Sequence, residues 1–100
     1  MPKLVRIYWG QFNGVVDCTL YDNDIIGSSV VLASVCEGDD GKNSESERRR
    51  FLGDAKMQVD NIAPFDGGVK IRLTIDWDDP LNIWTDVVIM DSLPPLVRAS

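Results

Sequence analysis

The sequence predicts a mainly β protein. It expects about six largely antiparallel strands in a two-layer sandwich or small barrel, with one short helix near residues 45–52. Three observations carry this. Val69, Ile71, Leu73, Ile75 and Trp77 alternate with Lys70, Arg72, Thr74 and Asp76, and strand side chains point to opposite faces with a period of two. Asn13-Gly14 lies between two β-rich runs, and both residues tolerate the positive φ of a type I′ hairpin turn. Clusters of Asp, Asn, Gly and Pro then punctuate the chain between further apolar runs. The alternative architecture is α+β, a single antiparallel sheet with the helix on one face.

The first strand is expected over Leu4–Phe12, which holds Val5, Ile7, Tyr8 and Trp9. Val15–Tyr21 is its expected return strand. A two-residue loop would set Trp9 opposite Cys18 and Ile7 opposite Leu20. Val5, Ile7, Trp9, Val16, Cys18 and Leu20 then face the core, and Arg6, Tyr8, Asp17, Thr19 and Tyr21 share the other face. Asp22-Asn23-Asp24 is a turn. Ile25-Ile26 and Ser29–Val35 are apolar on both faces, as in a central strand covered on both sides.

Glu37–Asn43 reads as loop. Ser44 and Glu47 have capping-box spacing, Arg48–Arg50 suit a helix C-terminus, and Gly53 suits a C′ position. Ala55–Ile62 alternates again, with a phase shift at Asn61–Ala63 that suggests a bulge. Pro64–Gly68 is a tight connection. Gly67–Met90 reads as a long hairpin whose tip is Asp78–Leu81. Residues 92–100 form a Pro-containing tail in which Pro94-Pro95 cannot donate ladder hydrogen bonds.

The chain has 100 residues, read as one domain spanning 1–100. No apolar run reaches the roughly 20 residues of a membrane span, and Met1–Ile7 has no signal-peptide pattern; a cytoplasmic protein is expected. Cys18 and Cys36 are then expected as reduced core residues. Two cysteines without histidine cannot supply the usual four ligands of structural zinc. The formal charge is −6. The one basic cluster, Arg48–Arg50, follows Glu45 and Glu47, so nucleic acid is not an expected partner.

The absence of histidine excludes Ser-His and Cys-His nucleophile pairs. No carboxylate spacing selects a catalytic pair, no phosphate-binding glycine loop is present, and no cofactor is expected. Three kinds of site remain. Trp77 and Trp84 would meet at the hairpin mouth beside Asp78, Asp79 and Asp86, suiting a cationic or sugar-like ligand through stacking and carboxylate hydrogen bonds. Asp22, Asp24, Asp76, Asp78 and Asp79 are acidic turn residues that could ligate calcium, although Asp also serves turns for backbone reasons. Arg6, Tyr8 and Tyr21 belong to residue types enriched at interfaces. The leading expectation is a non-enzymatic binding or protein-interaction module. It would be a homodimer or larger homo-oligomer, using a sheet face or end loops. A calcium- or cation-dependent β-sandwich is the alternative, and a small carboxylate enzyme with a Trp-lined pocket is the third.

Overall fold

The alternation of Val69, Ile71, Leu73 and Ile75 becomes the inner face of one strand, and all four side chains are buried. The computed structural model describes residues 1–40 and 50–99. Its strands are β1 (Lys3–Phe12), β2 (Gly14–Tyr21), β3 (Val31–Gly38), β4 (Arg50–Phe51), β5 (Lys56–Phe65), β6 (Gly68–Asp76) and β7 (Leu81–Ile89). They form a four-stranded sheet in the order β1-β7-β3-β4 and a three-stranded sheet in the order β2-β6-β5. Every pairing is antiparallel. The larger sheet curls into a half-barrel. Both sheets are amphipathic, so each covers the other's apolar face. The shared core joins Ile71, Leu73 and Ile75 of β6 to Ile83, Val87 and Ile89 of β7.

The described residues form an all-β fold with seven strands and no helix. Most of the expected helix, residues 45–49, lies outside the described residues. At its far end, Arg50 and Phe51 are extended and pair with Gly38 and Glu37.

Two expected hairpins are corrected. β1 and β2 belong to different sheets: β1 pairs with β7 and β2 with β6. Phe12 is still paired with Leu81 while Gly14 is already paired with Ile75, so Asn13 alone makes the crossing. Gly14 adopts φ 76° there, so Asn-Gly supplies the local geometry without the hairpin. β6 and β7 likewise separate, because Trp77–Pro80 crosses between the sheets. Asn13 ties the crossings together, its Nδ2 donating to the carbonyls of Trp77 (3.3 Å) and Asp78 (3.1 Å). The inward assignment of Val5, Ile7, Trp9, Val16, Cys18 and Leu20 holds, since facing follows from each strand's own alternation and not from its partner.

A tight hairpin joins β5 to β6 through Asp66-Gly67, with Phe65 opposite Gly68. Gly68 has no room for a side chain: a Cβ would stand 2.5 Å from the Leu20 carbonyl oxygen and 2.6 Å from the Phe65 ring. Residues 22–30 are turn and loop, so the strand expected over Ser29–Val35 begins instead at Val31. Ile25 is fully buried in that loop, and its carbonyl accepts from Gly67 N at 2.8 Å. The phase shift in β5 falls between Val59 and Asn61, at the start of the expected position. A second bulge, at Trp9, separates Tyr8 from Gly10.

Candidate functional site

Register decides what the outer face of the larger sheet displays. Leu4, Val88 and Leu32 lie across β1, β7 and β3 as one row. Arg6, Asp86 and Ser34 form the next, and Tyr8, Trp84 and Cys36 the third. These are the positions that alternate with the inward residues of each strand.

The middle row is tied by charge. Arg6 Nε donates to Asp86 Oδ1 at 2.8 Å, and Arg50, reaching across from β4, forms an ion pair with the other oxygen. Asp86 thus links the two edge strands of the sheet. In the aromatic row, the Tyr8 and Trp84 rings are 5.1 Å apart and tilted by 39°. The Tyr8 hydroxyl donates to Asn82 Oδ1 at 2.8 Å, and Trp84 Nε1 donates to the Asp39 carbonyl at 2.8 Å. Although it faces outward, Trp84 is only 4% exposed. The apolar row is open: Leu4 is 77% and Leu32 55% exposed. An open groove of about 450 Å³ runs along Leu4, Arg6, Asp86 and Val88.

Of the residues singled out from sequence, Arg6, Tyr8, Trp84 and Asp86 meet on this face. Tyr21 does not. It lies at the end of β2 in the other sheet, where its ring meets Phe65 edge-on at 6.3 Å. Asp17 and Thr19 also belong to that sheet, where Asp17 pairs with Arg72 at 2.7 Å. The Arg72 guanidinium holds the Asp17 carboxyl below its ordinary range. Trp77, Asp78 and Asp79 lie on the crossing loop next to Asp76, the last residue of β6, around a shallow depression. The expected grouping of both tryptophans with Asp78, Asp79 and Asp86 is therefore divided: Asp86 joins Arg6 and Arg50, and Trp84 packs against Tyr8.

Two of the acidic turn residues, Asp22 and Asp24, have protein partners. Asp22 pairs with Lys3 at 2.7 Å and accepts from the Asp24 amide at 2.9 Å. Those two bonds, the Lys3 bond foremost, lower the pKa of Asp22. Asp24 lies 3.3 Å from the same ammonium. Among the described residues, no three His, Cys, Asp or Glu side chains group as a metal site.

Leu4, Leu32 and Val88 were not singled out from sequence. Leu32 falls within a run that is apolar on both faces, which reads as burial on both sides; only the layer arrangement leaves one side bare. No family model, curated protein or solved structure matches this chain, so its own residues carry the functional reading.

Proposed function

We propose that this protein is a non-enzymatic interaction module that self-associates in the cytoplasm through the outer face of its β1-β7-β3 surface. The observation that carries this reading is the Leu4–Val88–Leu32 row, its two leucines exposed and Val88 half-buried, beside the Arg6–Asp86–Arg50 ion cluster and the Tyr8–Trp84 pair. An exposed apolar row bordered by charged and aromatic side chains has the composition of a binding patch. The charges in the middle row are already paired within one chain, so covering them strands no lone ion. The groove is shallow and open, which suits a macromolecular surface better than a small substrate.

Sedimentation velocity tests this. The wild-type chain is expected to dimerise at micromolar concentration. Leu4→Glu/Leu32→Glu is expected to sediment as a monomer with unchanged far-ultraviolet circular dichroism, because both side chains point away from the core. A wild-type chain that stays monomeric up to several hundred micromolar overturns the reading.

A further inference from the structure

Beyond β7, residues 91–99 are exposed and belong to no strand. The segment includes Leu93, Leu96 and Val97, which are 55%, 78% and 83% exposed. A large apolar surface is thus held on an arm as well as on the outer face. We infer that the arm of one copy docks, through Leu93 and Leu96, across the Leu4–Val88–Leu32 row of a second copy. This rests on the self-association proposed above and names the segment that fills the face.

The occupant follows from backbone chemistry. Pro94 and Pro95 have no N–H, and each holds φ near −65°. The residue before a proline is pushed toward extended or polyproline geometry. The arm is therefore a poor added strand for the free edge of β1: successive N–H groups point to opposite sides, so one of the two prolines always falls where a ladder donor is needed. It is well suited to lie on a face through its side chains.

The spacing also matches. A polyproline helix has three residues per turn and rises about 3.1 Å per residue, so Leu93 and Leu96 project from one side about 9 Å apart. Neighbouring strands lie about 4.8 Å apart, which sets Leu4 and Leu32, two strand spacings from each other, at about 9.6 Å. An arm running across the strands can thus seat its two leucines over the same interval, on either side of Val88.

The arm leaves the sheet beside this row. Met90 N still bonds to Val30 O at 3.1 Å, and Val88 is two residues earlier. A two-fold axis near this end of the sheet would carry each arm onto the other copy's row by a short path, giving a closed reciprocal exchange.

Two measurements on the full-length chain test the inference. In sedimentation, Leu93→Asp/Leu96→Asp is expected to weaken dimerisation roughly 10-fold or more, as loss of two central apolar anchors should. In a Cys36→Ser background, mixing a Leu32→Cys chain with a Leu96→Cys chain is expected to yield a disulfide-linked heterodimer under mild oxidation. If the arm variant dimerises like wild type while Leu4→Glu/Leu32→Glu does not, the arm is overturned and the face stands. If the wild-type chain is a monomer, both fall. If a single chain carrying both cysteines closes on itself in the monomer fraction, the arm covers its own row and exchange is overturned.

Discussion

Among the described residues Thr85 is the one fully buried polar side chain of the core, at 0% exposure, and it offers a direct test of how β1 is held to β7. Its Oγ1 accepts a 2.7 Å hydrogen bond from Trp9 Nε1. Trp9 is the bulged residue of β1 and packs against the core. Replacing Thr85 by Val keeps the shape and removes the acceptor. The indole N–H is then left without its partner, at a cost of about 1–3 kcal/mol for a buried donor. Because Trp9 is only half-buried, the lower part of that range, about 1–2 kcal/mol, is expected. For a chain of this length each kcal/mol lowers Tm by roughly 4–8 °C. Urea unfolding followed by tryptophan fluorescence or circular dichroism measures the change. Thr85→Ser, which keeps the acceptor, should lose only about 0.8 kcal/mol for its missing methyl group. Trp9→Phe removes the donor, and the Trp9→Phe/Thr85→Val double variant should be more stable than the sum of its parts by at least about 0.5 kcal/mol. Additive single effects would show that the bond does not couple the strands and would refute this account of the β1–β7 seam.

Other consequences follow from individual contacts. Gly68→Ala forces a Cβ against the Leu20 carbonyl and the Phe65 ring; a loss of about 1–3 kcal/mol in urea unfolding is expected, as for overpacked sites, and an unchanged midpoint would contradict it. Asp17, Asp22 and Asp60 have lowered pKa values, chiefly through bonds from Arg72, Lys3 and Thr74 respectively. A depressed carboxylate stabilises the fold above its unfolded value, near pH 4, and that share is lost as pH falls through the folded value. The urea midpoint should therefore hold from pH 7 to about 5 and drop toward pH 3, with Asp17→Asn showing a smaller drop. Lys3 is shifted upward, mainly by its bonds to Asp22 and then Asp24. Its share is present below the unfolded value and fades only as pH rises through the folded one, so the neutral range should show no effect from it. Burial raises the Cys18 thiol, and Cys18 is the more buried of two free cysteines; iodoacetamide followed by peptide mass analysis should label Cys36 first.

Part of the candidate site is legible in the sequence. Arg6 and Tyr8 alternate with Val5, Ile7 and Trp9, so their outward placement follows from strand period alone. Trp84 and Asp86 form part of the set that alternates with Ile83, Thr85, Val87 and Ile89, but both sets contain apolar residues and period alone could not orient them. Burial of the odd-numbered set settled it. The meeting of Arg6 with Asp86 was not legible, because it needs β1 beside β7, 80 positions apart in the chain. Sequence alone groups Tyr21 with Arg6 and Tyr8 only because Asn13-Gly14 resembles a hairpin turn. The same dipeptide here carries the chain from one sheet to the other.

The residue order alone is enough for the β class and for the inward face of β1, β2 and β6. Both follow from short-range period, which acts within a few residues. Strand partnership came from how the two layers pack. Gly67–Met90 reads as one hairpin, yet its two halves became the central strands of opposite sheets. Burial explains the choice. A hairpin would set the inward rows of β6 and β7 side by side on one sheet, each still needing cover. Divided between two layers, Ile71, Leu73 and Ile75 instead share one core with Ile83, Val87 and Ile89, and each row helps remove the other from water.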